Sequence, residues 1–405
     1  MGKTLVSINL GNYGSTGNIM REISGLAEKN GYRAIQVYPG TNYNVKRNYS
    51  DIVMSSVLLN KVNQKLAYYT GYNGCFAIIE TAVLVWKLRR INPDIIHLHN
   101  IHDSYINYRM LFKYIRKYDI PVVWTLHDCW SVTGHCAHFI FSKCDKWKNG
   151  CHDCEYLNDY PKTIKDRTEV LWKLKKSCFT GLKSLTVVTP SEWLGRIVRE
   201  SYLSEYEVRV INNGIDLDVF CPSVESCDKR YQKKYLILGV SFGWTYKKGI
   251  DIFKRLADDL TDDYEILLVG TDEAIEKELP SRIKTVRKTS NRKELANLYT
   301  KATVLVNASR EENFPTVNIE ALACGTPVVT FDTGGSAEML NEKCGISVKK
   351  DDYYALLSAI KIVCKSNFSS NACREQAMNY AAENKYQEYL NLYNSILRKN
   401  ERCGE

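Results

Sequence analysis

Short apolar runs recur along the chain, each followed by a polar or glycine-rich turn and then by residues at helical spacing. Thr4–Leu10, Ala34–Tyr38, Ile95–His99, Ile120–Asp128, Leu185–Thr189 and Val208–Ile211 read as strands of a first half. Tyr235–Val240, Tyr264–Val269, Ile283–Val286, Val304–Val306 and Val328–Phe331 read as strands of a second. Most show little apolar/polar alternation, the pattern of strands buried on both faces, so helix and strand should alternate around parallel sheets. Helices are expected from near Asn18, over Ala82–Arg90, over Asp166–Leu185 and after Pro190. Others are expected over Arg292–Lys301, starting with Thr333-Gly334-Gly335-Ser336-Ala337-Glu338, and from Arg374 onward. The helix over Asp166–Leu185 should carry a basic face of Arg167, Lys173, Lys175, Lys176 and Lys183. Residues 41–80 are rich in Asn and Tyr (Tyr43, Tyr49, Tyr68, Tyr69, Tyr72) and weakly periodic, which suggests a partly helical insertion.

The stretch with the most chemistry runs from Asn307 to Leu340. Its strand turns at Glu311-Glu312-Asn313, and Phe314-Pro315-Thr316-Val317 opens a helix that Gly325-Thr326-Pro327 stops. Free backbone N–H groups at a helix tip, here those of Phe314, Thr316 and Val317, attract an anion. Glu312 and Glu320 flank the tip, and carboxylates accept hydrogen bonds from sugar hydroxyls. A ligand with phosphate in the middle and hydroxyls at both ends, a sugar nucleotide, has that layout.

Other strand ends add candidates. Gly11-Asn12-Tyr13-Gly14-Ser15-Thr16-Gly17 follows the first strand, but the second strand ends in Pro39-Gly40 and not in an acid that would hold a ribose, which argues against NAD. His99, Asn100, His127 and Asp128 fall at strand ends, and all seven histidines lie between His97 and His152. In the second half, Lys247-Lys248-Gly249 and Gly270-Thr271-Asp272 are the matching turns. Cys136, Cys144, Cys151 and Cys154 have the spacing C-x7-C-x6-C-x2-C, which admits a structural zinc clip, unpaired thiols or disulfides. Four thiolates would leave a metal no open position, so no catalytic metal is expected.

Glu312-Asn313-Phe314-Pro315-x4-Glu320, followed by Ala-Leu-Ala-Cys-Gly-Thr-Pro-Val-Val, resembles the E-x7-E signature of retaining glycosyltransferases of the GT-B fold, family 4. The resemblance extends to Asn213-Gly214-Ile215-Asp216, Lys248-Gly249 and Thr125-Leu126-His127-Asp128, and covers nearly the whole chain. It implies an α/β fold of two Rossmann-like domains facing each other across a cleft. The first would span 1–215, with a Cys/His-rich insertion near 129–160. A linker (216–234), a nucleotide-sugar domain (235–380) and a last helix packing back on the first domain (381–405) would follow. By the same resemblance Glu312 and His127 contact the donor sugar, Glu320 the ribose, and Lys248 the diphosphate. The loop with Gly14 and Gly17 would face donor phosphates or acceptor. Two positions depart from the pattern: Pro315 replaces a frequent glycine and removes an N–H, and Phe242-Gly243 stand where relatives carry an Arg, with Lys247 as the substitute cation.

The Cys-rich patch resembles that of bacterial exopolysaccharide transferases of the colanic-acid type. The implied activity is transfer of a sugar from a UDP- or GDP-sugar to a lipid-linked oligosaccharide or surface polysaccharide precursor. A sugar-nucleotide epimerase of the same fold and a non-catalytic nucleotide-sugar-binding protein are the alternatives.

At 405 residues the chain has room for two cores. No run is long enough to span a bilayer and the N-terminus reads as a strand, so a cytoplasmic protein is expected. Charge is uneven: residues 1–200 hold 27 Lys/Arg against 16 Asp/Glu, whereas 201–405 hold 28 against 30. No nucleic-acid motif accompanies the basic half. Peripheral contact with an anionic membrane bearing the acceptor, with residues 41–80 as an acceptor-binding or membrane-facing surface, is one reading; scattered solubilising lysines are the other.

Overall fold

The computed structural model describes residues 2–45, 50–223, 234–366 and 368–403. Tyr49 and residues 224–233 of the expected linker lie outside the described residues. The chain forms two compact units, one of Met1–Asn212 with Tyr386–Glu405, the other of Asn213–Lys385.

Unit one runs β1 (Thr4–Ile8), α1 (Gly14–Lys29), β2 (Arg33–Tyr38), β3 (Ile52–Val53), α2 (Val57–Thr70), α3 (Ile78–Ile91) and β4 (Ile95–Leu98). It continues α4 (Tyr108–Tyr118), β5 (Val122–Thr125), α5 (Thr168–Phe179), β6 (Leu185–Thr189), α6 (Glu192–Arg199) and β7 (Glu207–Val210). The strands form one parallel sheet in the order β3-β2-β1-β4-β5-β6-β7. Strand order reverses between β1 and β4, which opens a crevice at their C-terminal ends.

Unit two runs β8 (Tyr235–Val240), α7 (Ile250–Asp259), β9 (Tyr264–Val269), α8 (Glu273–Glu278), β10 (Ile283–Val286), α9 (Arg292–Lys301) and β11 (Val304–Asn307). It continues α10 (Thr316–Ala323), β12 (Val328–Asp332), β13 (Gly345–Lys349), α11 (Tyr353–Lys365), α12 (Ser370–Met378) and α13 (Ala382–Cys403), whose residues from Tyr386 on belong to unit one. Its parallel sheet has the order β10-β9-β8-β11-β12-β13, with the switch between β8 and β11. Successive strand residues feed opposite cores: Leu236, Leu238 and Leu305 enter one, Ile237, Val304 and Val306 the other.

Four expectations need correction. The first helix begins at Gly14, ahead of Asn18, because the loop folds beneath its first turn: a Cβ on Gly17 would sit 2.6 Å from the Asn12 carbonyl carbon. Thr333–Glu338 is a succession of turns and not a helix, since Gly334 is left-handed (φ +57°) and the Gly335 N–H is committed to the Asn313 carbonyl at 2.8 Å. The C-terminal helix is two helices, because Tyr380 and Ala382 leave the spiral to bond both sides of Ile215. Lys175 does not belong to a basic face. It is fully buried, donating to the carbonyls of Trp130 (2.7 Å) and Thr133 (3.0 Å) with its ammonium over the Trp130 ring.

Burial pulls the Lys175 amine down to about 7. The unfolded chain therefore binds the proton more tightly between about pH 7 and 10, and Lys175 favours folding increasingly as pH rises through that window. Lys175→Met should destabilise the protein by about 1–3 kcal/mol, since two buried carbonyls lose their donor. In denaturant titrations the deficit should widen from pH 7 to pH 9.5. A variant as stable as the parent at both pH values would return Lys175 to a solvated face.

Candidate active site

The switch point of unit two gathers the groups expected to meet a nucleotide sugar. Lys247 and Lys248 lie in the loop after β8, and Glu311 and Glu312 in the loop after β11. Lys248 Nζ meets Glu312 Oε1 at 2.5 Å, and Lys247 Nζ meets Glu311 Oε2 at 3.0 Å, so the two loops form a two-rung ion-pair ladder. Arg310 braces it from beneath. Its N–H bonds the Lys247 carbonyl at 2.8 Å, and its guanidinium forks onto Asp251 at 2.8 Å twice and reaches Asp351 at 2.6 Å. Those two carboxylates hold the guanidinium proton more tightly than usual despite burial.

Two glycines permit the close approach. Gly249 (φ +77°) caps α7, and a Cβ there would lie 2.4 Å from the Ala308 carbonyl oxygen. Gly270 (φ +87°) ends β9, with a Cβ position 1.7 Å from the Ser241 carbonyl oxygen. Both are built for backbone against backbone.

Helix α10 starts beside the ladder, capped by Pro315 with no side-chain cap and no acid in its first turn, so the N–H groups of Thr316 and Val317 keep their pull on an anion. Phe314 is buried against Tyr380, and its carbonyl takes a hydrogen bond from Asn213. Asn318, fully buried, bonds Asn307 and the Ser336 carbonyl and so fixes the helix to β11 and the following turns. Glu320 accepts from the Tyr299 hydroxyl at 2.8 Å, and burial pushes its carboxyl above the ordinary range.

Gly14, Gly17 and His127 belong to unit one. Gly14 has open space around it, whereas the missing Cβ of Gly17 faces the chain's own loop. His127 Nε2 lies 3.0 Å from His99 Nδ1 with the rings stacked, and burial lowers its pKa to about 4. His99 Nε2 is buried with no hydrogen-bond partner among the described residues. His97 is locked between Tyr393 (2.7 Å), Thr125 (2.8 Å) and, beyond Thr125, Tyr389, and burial lowers it to about 3. Asp128 accepts from the Trp130 N–H and lies 3.0 Å from His102 Nε2; despite burial, His102 leads a set of contacts that hold it at about 2.

Cys136, Cys144, Cys151 and Cys154 line one cavity of about 250 Å³ as free thiols. Among the described residues no three His, Cys, Asp or Glu side chains are arranged to hold a metal ion, so of the three readings open for these cysteines the zinc clip finds no site and the thiols stand free. Burial pushes Cys136 to about 12 and Cys151 to about 11, and Cys151 takes the Gly134 N–H at 3.1 Å. The loop is held by Lys175 and by Trp147, whose carbonyl accepts from the Trp172 indole at 2.9 Å.

Residues 29–219 match the family described as Glycosyltransferase Family 4, and residues 233–366 the family described as Glycosyl transferases group 1. The chain belongs to the GT-B glycosyltransferases. It is 25% identical over 325 residues to an Escherichia coli K12 protein named as a colanic acid biosynthesis glycosyl transferase, WcaC, covering 76% of this chain and 78% of that one. A Campylobacter jejuni relative, N,N'-diacetylbacillosaminyl-diphospho-undecaprenol alpha-1,3-N-acetylgalactosaminyltransferase, is 26% identical over 223 residues, 50% of this chain and 58% of its own length. The Anabaena protein HepE, solved with UDP and glucose, superposes with a TM-score of 0.68 at 14% identity, covering 97% of this glycosyltransferase and all of HepE. That likeness concerns the fold. Among the described residues no helix is long and apolar enough to cross a membrane.

Arg310, Asp251 and Asp351 were missed by sequence reading. The signal was an arginine placed directly after a buried strand, where a solvated side chain is the default expectation. In the glycosyltransferase, Gly249→Ala should lower stability by about 1–3 kcal/mol, from left-handed strain and the clash with Ala308. It should lower transfer activity with it, by separating the two loops. Unchanged melting and unchanged turnover would show that the loops tolerate separation.

Proposed function

We propose that the chain transfers a sugar, with retention of anomeric configuration, from a UDP- or GDP-sugar to a hydroxyl of a lipid-linked oligosaccharide or surface polysaccharide precursor. The observation that carries this is that the loop bearing Glu312, paired with Lys248, runs into the α10 tip at the β8/β11 switch point, with Glu320 farther along the same helix. A diphosphate at the tip would take Lys248 as its counter-ion, with the sugar toward Glu312 and the ribose toward Glu320; for His127 the donor-sugar role rests on the resemblance of Thr125-Leu126-His127-Asp128. Lys247 supplies the second positive charge, and the backbone of Gly270, Phe314, Thr316 and Val317 is assigned contact with nucleotide and phosphates.

The departing diphosphate gains negative charge as the glycosidic bond breaks, so a fixed ammonium and fixed N–H dipoles favour the transition state over the ground state. Retaining glycosidases set a carboxylate nucleophile against the anomeric carbon. No residue here is assigned that role. The acceptor hydroxyl attacks on the face the diphosphate leaves, and a leaving phosphate oxygen takes its proton. The UDP and glucose named for HepE support a nucleotide-sugar donor, and the undecaprenol-linked substrate named for the Campylobacter relative supports a lipid-linked acceptor. A lipid-linked acceptor also places the basic first half beside an anionic bilayer.

Lys248→Ala should lower kcat by roughly 100–1,000-fold with a small change in nucleotide affinity. Glu320→Ala should weaken nucleotide binding by roughly tenfold or more, measured by calorimetry, with a smaller loss of kcat. Near-normal kinetics for both variants would refute the site assignment. Isomerised sugar nucleotide formed without acceptor would replace transfer by epimerisation.

A further inference from the structure

Helix α2 is built inside out. Its buried positions are Asn60, Asn63 and Ala67, while Leu58, Leu59, Val62 and Leu66 are exposed, Leu58 to 74%. The helix is well formed: Ser56 caps its first turn through the Leu59 N–H, and left-handed Gly71 closes its end. Asparagines inward and leucines outward is the reverse of what a core-facing helix shows. A helix of 14 residues is marginal without burial of its apolar face, so that face calls for a partner outside the chain.

The neighbouring helix buries Leu84 and Leu88 in the core yet also leaves a row of apolar residues outside. Asn63 donates to Glu80 at 3.0 Å, tying α2 to α3, and α3 leaves Ile78, Ile79, Val83 and Trp86 exposed. Charge decides what the partner is. α2 carries Lys61 and Lys65 among its exposed apolar residues and has no acid. α3 carries Lys87, Arg89 and Arg90, and its one acid, Glu80, is buried on Asn63. Exposed Tyr68, Tyr69 and Trp86 add rings with one apolar and one polar end, and Arg90 lies over the Trp86 ring at 3.9 Å. A second copy of the chain would set these cations against one another. A bilayer with anionic headgroups takes both the apolar and the cationic side chains at one depth.

We propose that the exposed faces of α2 and α3 dock this enzyme on the surface of an anionic lipid bilayer. This deepens the reading of a lipid-linked acceptor, but the surface itself is independent of donor chemistry.

Vesicle co-sedimentation of the full chain, without donor or acceptor, tests it. Binding to phosphatidylglycerol-containing vesicles should exceed binding to phosphatidylcholine vesicles by at least tenfold at 0.1 M salt and fall steeply at 0.5 M. The double variant Lys61→Glu with Lys65→Glu should lose at least tenfold in partitioning while keeping its melting temperature and its affinity for nucleotide. Leu58→Ser with Leu66→Ser should lose a similar factor at either salt concentration. Trp86→Phe should lower the quenching of tryptophan fluorescence by brominated acyl chains. Equal binding by parent and both double variants overturns the proposal, as does a parent that ignores anionic vesicles. So does a concentration-dependent dimer that Leu58→Ser abolishes in a chain that binds no vesicles. Transfer to a lipid-linked acceptor without vesicle binding removes the docking surface and leaves the activity standing; vesicle binding without such transfer does the reverse.

Discussion

Arg310 holds its guanidinium 3% exposed between the carboxylates of Asp251 and Asp351, against the Tyr246 ring and carbonyl. An arginine cannot shed its proton to escape burial, so losing either carboxylate would strand a buried charge. Through its backbone N–H the same residue carries the Lys247 carbonyl, and through its own carbonyl it carries the Thr333 hydroxyl. The loops after β8, β11 and β12 therefore move as one body. The ion-pair ladder above is a consequence of that brace: the lysines and glutamates meet because Arg310 fixes the loops that carry them. Parallel strand polarity does the rest by placing both loops at the end of the sheet where strand order reverses.

Much of this was readable from residue pattern. The β6, β8 and β9 boundaries coincide with the apolar runs, because strands buried on both faces announce themselves by runs of Val, Ile and Leu. β13 escaped, since Gly345–Lys349 alternates buried and exposed residues at the sheet edge and lacks that run. Glu312, Lys248 and the α10 tip were legible as a motif because a turn and a helix start leave strong local signals. Arg310 and Lys175 were not. A lone basic residue in a sequence reads as solvated, and only tertiary placement reveals two buried carboxylates or two buried carbonyls around it. The helix expected after Thr333 failed for a related reason: Gly335 gives its N–H to Asn313, a partner more than twenty positions away.

Unit one shows the opposite relation between pattern and burial. His97, His99 and His127 are sunk at the ends of β4 and β5, where His97 passes a hydrogen bond from Tyr393 on to Thr125, and burial keeps these three imidazoles neutral. Its leucines on α2 stand in solvent. The polar groups are thus used for internal order and the apolar ones for an external surface. The loop between β5 and α5, for which a zinc clip was one of three readings, draws its order from a desolvated lysine and packed tryptophans. A compact loop can be held by one buried lysine that satisfies two carbonyls.

The central claim is that the diphosphate of a nucleotide sugar is gripped at the start of α10. Crystals soaked with UDP or GDP test it most directly. The account predicts the diphosphate against the N–H groups of Thr316 and Val317, the Lys248 ammonium in contact with a phosphate oxygen, and the ribose hydroxyls on Glu320. A nucleotide bound elsewhere, with the α10 tip bare and Lys248 still on Glu312, would contradict it.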